Sequence, residues 1–146
     1  MQFEILSGIN QVSIIQKQVI ADFLFQHLDQ YGDPKEHIMK CLDYSLSMYP
    51  HQGGVVVLAK ENDQIRGAVV VNSTGMEGYV PENLLVYIAV HKESRGIGLG
   101  KQLMQKAMKN VKGDIALHVE PDNPAKFLYE KLGFANKYLE MRYKNS

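Results

Sequence analysis

Residues 94–103, SRGIGLGKQL, alternate three glycines (Gly96, Gly98 and Gly100) with apolar residues between Arg95 and Lys101, and a helical pattern follows. Glycines let backbone N–H groups turn toward a ligand with no Cβ in the way. The start of a helix adds unpaired N–H groups and partial positive charge. Arg95 and Lys101 put a cation on either side. The chemistry this suits is holding an anion, first of all a phosphate. A ligand-free strand-to-helix turn would use the same residue types. Two familiar phosphate loops do not fit. A Walker A loop with Gly100-Lys101 as its GK would need a glycine where Arg95 stands and a Ser or Thr where Gln102 stands. The dinucleotide fingerprint would need a glycine at Lys101 and belongs at the start of a larger domain.

The loop needs a strand before it and a helix after it. Residues 84–90, LLVYIAV, are apolar on both faces and read as a central buried strand. A helix runs from the loop to about Asn110, and 114–119, DIALHV, is a further strand. That strand–helix–strand unit is a right-handed crossover with parallel strands. Upstream, QFEIL reads as a first strand. Ile14, Ile15, Val19, Phe23 and Leu24 recur at helical spacing. Asp33, Pro34 and Glu36 read as N-cap, first helical position and capping-box partner of a second helix, whose core stripe is Ile38, Cys41, Leu42 and Ser45. Two β-branched runs flank the polar turn 61–64 and predict a hairpin. Downstream, 123–134 reads as a short helix closed by Gly133, and 138–143, YLEMRY, alternates as a closing strand. The expected architecture is α/β (α+β): a mixed, mostly antiparallel sheet with one parallel βαβ crossover and helices packed on it.

The 146 residues suit one domain spanning 1–146. With 45% hydrophobic and 22% charged residues, the composition is that of an ordinary globular chain. Sixteen basic residues balance sixteen acidic ones, which argues against a nucleic-acid partner. One cysteine excludes a disulfide framework and suits a reducing compartment. The N-terminus lacks a signal-peptide pattern, and no apolar run approaches the roughly 20 residues that span a bilayer. The expectation is a cytoplasmic protein without a membrane partner.

A second motif sharpens the reading. PDNPAKFLYEKLGF carries Ala125, Tyr129, Gly133 and Phe134 in the pattern A-x-x-x-Y-x-x-x-G-F. With it, the chain resembles the GNAT superfamily of acyl-CoA-dependent N-acetyltransferases. The family's [Q/R]-x-x-G-x-[G/A] loop is matched without a gap by Arg95, Gly98 and Gly100. The resemblance runs from about Val55 to Phe134, and the order of strands agrees with it. One position departs: the family's asparagine usually lies one slot earlier, where Asp122 stands, and Asn123 follows it.

The resemblance implies acetyl-CoA as co-substrate and no metal. It implies that the coenzyme A pyrophosphate sits on Arg95, Gly96, Ile97, Gly98, Leu99, Gly100 and Lys101. The pantetheine arm would pair with the backbone of Ile88, Ala89 and Val90 as an added strand. Asn123, Ala125 and Tyr129 would complete the cofactor site. Tyr129 is the implied general acid for the leaving thiolate, although a packed structural tyrosine would look the same. The base is open. Glu82 and Glu120 stand at the ends of the two strands that splay apart, and Tyr87 is the one ionisable side chain within 84–90. That scarcity fits a base acting through water. His118 reads as a strand histidine of either face. Tyr31, Asp33, Glu36, Tyr44, Tyr49, Glu77, Tyr79 and Glu82 are available to an acceptor, and carboxylates with tyrosines suit a cationic amine, small or peptidic. The function expected is acetyl transfer to a primary amine by direct attack. The alternative is a non-catalytic acyl-CoA sensor or scaffold, and a nucleotide-phosphate binder ranks behind both. Apolar helix stripes leave a homodimer open.

Overall fold

The structure, a computed structural model, describes residues 1–146. Its strands are β1 (Gln2–Leu6), β2 (Gly54–Glu61), β3 (Gln64–Ser73), β4 (Asn83–Val90) and β5 (Ile115–Leu117), and its helices are α1 (Ile14–His27), α2 (Lys35–Ser45), α3 (Leu99–Lys109) and α4 (Ala125–Lys131). The sheet runs in order β1-β2-β3-β4-β5, antiparallel except for the β4–β5 pair. The expected hairpin forms: Asn62 and Asp63, both at positive φ, make the two-residue turn between β2 and β3.

The sheet separates two apolar layers. On one face Val56, Leu58, Ala68 and Val70 pack with Ile20 and Leu24 of α1 and with Ile38 and Leu42 of α2. On the other, Val55, Val57, Val69 and Val71 pack with Leu99, Leu103 and Met104 of α3. Period-two alternation in β2 and β3 sorts the side chains. β4 breaks that rule. Val70 pairs with Tyr87 and Val71 with Leu85, so Val86 is an extra residue with no partner. The bulge reverses the alternation: Leu85 belongs to the α3 layer, Tyr87 and Ala89 to the α1–α2 layer. Without it Tyr87 would share the face of Leu85.

Four expectations are corrected. Ile14, Ile15 and Val19 of α1 face solvent, and the buried set is Ile20, Ala21, Phe23, Leu24 and His27. Apolar residues surround α1 on every side, so spacing did not single out the buried face. Asp33 makes no cap: Pro34 occupies the N-cap position, and the Asp33 carboxylate instead accepts the Tyr87 hydroxyl. β5 stops at Leu117, two residues short of the expected end, because it pairs with β4 only over Asn83–Leu85. Residues 138–143 form no strand, and their side chains are exposed.

The α2 stripe falls as its spacing predicts, with Ile38, Cys41, Leu42 and Ser45 all buried. Burial pushes the Cys41 thiol up to about 12, and its Sγ lies 3.7 Å from Asn72 Oδ1. Only the thiolate is a fast nucleophile. The folded protein should therefore leave an aromatic disulfide reagent unreacted at mildly alkaline pH, and the unfolded chain should consume one equivalent. Rapid reaction of the folded protein would show that α2 opens readily from the sheet. No helix is long and apolar enough to cross a membrane.

Candidate functional site

The glycine loop joins the end of β4 to the start of α3. Gly96 and Gly98 stand at φ of +83° and +80°, a region that side-chain-bearing residues rarely adopt. A Cβ at either would meet no atom within 4 Å, so both face open space. Gly98 caps α3 without a side-chain partner. The backbone amides of residues 95–101 donate to nothing within the chain. Seven successive free donors at a helix N-terminus suit an anion such as a phosphate group. Gly100 lies behind them, 3.4 Å from Leu128 Cδ2, where the helix start packs on α4. The Lys101 side chain is exposed at the loop.

Arg95 behaves differently from the expectation of a loop-bracketing charge. Its Nε donates to Val90 O at 3.1 Å, its guanidinium donates to His27 O at 3.0 Å, and it pairs with Asp29 at 3.3 Å. Lys92 also reaches Asp29, at 3.7 Å. The His27 ring stacks 4.3 Å from that of His91. Burial, then the neighbouring His91, Arg95 and Lys92, hold the His27 pKa down, which favours the neutral ring. Arg95 is thus a strut that fixes the end of α1 to the end of β4 and shapes the loop from behind.

Past Leu85, β4 and β5 no longer pair, which leaves the β4 backbone of Val86–Val90 with a free edge. A cleft of about 90 Å³ opens there. It is walled by Leu28 and Tyr31 on one side, by β4 including Tyr87 and Ile88, and by Leu117, His118, Val119, Glu120, Asn123 and Tyr129 on the other. The Tyr31 hydroxyl donates to Asp122 O at 3.4 Å across the cleft. Tyr129 is 7% exposed, and burial raises its pKa, which keeps the phenol protonated at neutral pH. Tyr87 donates to Asp33 Oδ2 at 2.5 Å. Burial and that carboxylate raise its pKa as well, so it is no base. Asn123 turns inward to accept the Ala125 amide at 2.9 Å and starts α4.

The cleft therefore gathers Ile88, Asn123, Glu120 and Tyr129, and the loop follows the far end of the β4 strand that walls it. It does not include Glu82. That carboxylate accepts the Gly78 amide at 2.9 Å and the Asp114 amide at 2.6 Å, and those two bonds lower its pKa. Glu82 and Glu77 border a separate cavity of about 420 Å³ at the opposite end of β4, walled also by Ser73, Asn83 and Lys112. Tyr44 is held away from the cleft too, donating to Ser73 O at 2.6 Å. Tyr49 and Tyr79 are exposed. The residues that spacing missed are Asp33 in its role beside Tyr87, and Leu28, which walls the cleft. Neither carries a local signal, since both act across more than 50 residues of sequence.

The chain is 32% identical over 91 residues to N-alpha-acetyltransferase 30 of Schizosaccharomyces pombe, covering 59% of this chain and 61% of that one. It is 31% identical over 83 residues to the 5-NmdU N-acetyltransferase of Pseudomonas phage PaMx11, covering 56% and 57%. The matched stretch spans about three fifths of the length of these relatives. Among solved structures, the aminoglycoside N-acetyltransferase AAC(6')-Iy in complex with CoA shares the fold, with a TM-score of 0.69 at 16% identity over 99% of this chain and 95% of that one. The acetyltransferase (GNAT) domain model matches residues 52–136, more than half of the sequence, from the strand β2 through the glycine loop to the end of α4. The chain belongs to the GNAT acetyltransferase family.

Proposed function

We propose that residues 1–146 form one N-acetyltransferase domain that moves an acetyl group from acetyl-CoA to a primary amine by direct attack. The observation that carries this reading is one continuous path. Free amides of 95–101 lead to the free edge of β4, and that edge leads to a cleft holding a buried, protonated tyrosine.

Acetyl-CoA would supply the thioester carbonyl and a thiolate leaving group. The amides of residues 95–101 and Lys101 hold the pyrophosphate. Ile88, Ala89 and Val90 offer their backbone to the pantetheine arm as an adjacent strand would. An N–H of that edge polarises the thioester carbonyl. Tyr129 Oη donates a proton to the departing thiolate, whose solution pKa is about 8.5. The acceptor amine, with an ordinary pKa of about 10.4, must lose a proton before it attacks. Glu120 lines the same cleft and takes that proton through water. Glu82 has no part in this scheme, because both its oxygens are engaged by backbone amides. Asn123 and Ala125 contribute by setting the start of α4, which aims Tyr129. The reaction needs no metal, and a lone buried thiol suits the cytoplasm.

For the acceptor, the cleft offers Tyr31, Tyr87 and the Glu120 carboxylate, a polar lining suited to a cationic amine, small or at a peptide terminus. The test is thiol release from acetyl-CoA across a panel of amines, amino acids, polyamines and peptides with free N-termini. Turnover confined to one class of primary amine is the expected result. Tight acetyl-CoA binding with no turnover on any member would replace this reading with that of an acyl-CoA sensor.

A further inference from the structure

The cavity of about 420 Å³ at the opposite end of β4 from the cleft takes no part in the acetyl-transfer scheme. Small-molecule sites have volumes of roughly 300–1,000 Å³ and are mostly lined by apolar side chains. This one has the size but not that lining: of its ten residues only Met76 and Val111 are hydrophobic. Its frame is braced. Thr74 closes the neck of the loop 74–82, its N–H donating to Glu82 O at 2.9 Å and its Oγ1 to Pro81 O at 2.8 Å. The Glu82 carboxylate accepts the Gly78 amide on one oxygen and the Asp114 amide on the other, and each oxygen keeps a lone pair for a further donor. Gly113, at φ +89°, makes room for that carboxylate, which a Cβ there would strike. Asn83 is 5% exposed, and its Nδ2 donates to Lys112 O at 2.7 Å and to Asp114 O at 3.2 Å. Two carbonyl partners fix which way round the amide lies. Oδ1 is then the polar atom that Asn83 offers to the cavity, and no donor of the chain meets it.

Three independent sources make this cavity electronegative. They are the carboxylates of Glu77 and Glu82, the open Asn83 Oδ1, and the C-terminus of α3, which carries partial negative charge and leads into the wall formed by Asn110, Val111 and Lys112. Lys112 is the one cation in the lining, and it is exposed. No three His, Cys, Asp or Glu side chains gather to hold a metal ion, so the cation that fits is organic. We propose that the cavity binds a small hydroxylated organic ammonium ion, with Glu82, Glu77 and Asn83 Oδ1 sharing its ammonium group. Ser73 Oγ and Asn110 Oδ1 are the partners left for its hydroxyls. The site reads charge and hydroxyls together. An uncharged polyol forgoes the charge-assisted bonds, which are about twice as strong as neutral ones. An alkylammonium without hydroxyls leaves part of the polar lining unpaired. The bonds that build the cavity also join the start of β4 to the start of β5, so the ligand sits at the root of the strand pair that opens into the cleft. The site is separate from acetyl transfer and does not rest on it.

The probe is the Tris cation at neutral pH. Pentaerythritol is its uncharged isostere, and tert-butylammonium carries the same charge without hydroxyls. Titrated into the full chain in sodium phosphate buffer, with no acetyl-CoA, Tris should bind saturably and one-to-one with a Kd of ~1 mM or tighter. Both analogues should bind at least about fivefold more weakly. Backbone amide NMR shifts should concentrate in residues 73–83 and 110–114 rather than in the cleft segments 86–90 and 117–123. Glu77→Lys should weaken Tris binding by about tenfold or more, because it reverses a charge at the ammonium group. Ser73→Lys, which puts an ammonium group of the chain's own into the cavity, should do the same. Glu77 is exposed and Ser73 half-buried, so both variants should melt as the wild type does. The comparison of the three probes needs only the wild type. Absence of saturable binding, equal affinity for Tris and either analogue, shifts confined to the cleft, or full affinity in either variant would each overturn the proposal. None of these measurements depends on acetyl transfer, so the proposal can fail while the proposed activity stands, and the reverse.

Discussion

Tyr129→Phe should lower kcat by roughly tenfold or more while leaving acetyl-CoA affinity within about twofold. The substitution removes one oxygen and keeps the ring. That ring packs among the α3 layer with Phe134 at 6.1 Å, and the hydroxyl has no partner within the chain. The fold should therefore lose little, about 0.5 kcal/mol or less. The effect on rate follows from protonation. Burial raises the Tyr129 pKa above its ordinary value near 10. A raised pKa means that the acid form persists around neutrality and is lost only at higher pH. In the wild type, then, the rise of activity with pH reflects deprotonation of the amine, and Tyr129 adds no falling limb near neutral pH. The phenylalanine variant should show the same profile shape, displaced downward. Steady-state kinetics with the preferred amine, at several pH values and with acetyl-CoA saturating, checks both points. An unchanged kcat would remove Tyr129 from the chemistry. A drop confined to KM for acetyl-CoA would make it a binding residue.

Much of the candidate site's geometry was legible because its signals are local. The glycine loop, the apolar run 84–90 and the tyrosine motif each lie within about a dozen residues, and glycine at positive φ is a backbone requirement that sequence displays directly. The turn at Asn62 and Asp63 is the same kind of signal. What was not legible depends on partners far along the chain. Arg95 looked like a phosphate contact because it precedes the glycines, yet it is spent on Asp29 and the His27 carbonyl, 66 and 68 residues away. Glu82 looked free at a strand end, yet Gly78 and Asp114 hold both oxygens. Asp33 had all the marks of an N-cap, and a buried phenol from β4 claimed it. That exchange in turn depends on the Val86 bulge, which turns Tyr87 toward α2 and which no residue type announces.

The loop makes the sharper demand on backbone. Gly98→Val should weaken acetyl-CoA binding by about tenfold to a hundredfold, with a smaller effect on kcat once acetyl-CoA saturates. Two costs combine. At φ +80° any L-residue pays about 1–2 kcal/mol, and a β-branched one more, so the loop relaxes out of its shape. The new methyl groups would also project into the open space in front of the amides, because a Cβ there meets no protein atom within 4 Å. Losing one hydrogen bond to a charged group costs about 1.5–3 kcal/mol. At 1.4 kcal/mol per decade that is about tenfold to a hundredfold in affinity. Gly98→Asn separates the two costs, since asparagine tolerates the left-handed region better than valine does. It should bind acetyl-CoA with an affinity between wild type and Gly98→Val. Gly100→Ala is the control, because its Cβ would meet Leu128 at 3.4 Å, an ordinary contact inside the fold and away from the amide face. Calorimetric titration with coenzyme A measures all three without requiring an acceptor. Equal affinities across wild type, Gly98→Val and Gly98→Asn would mean that the pyrophosphate is held elsewhere, and the free amides of 95–101 would then need a different ligand.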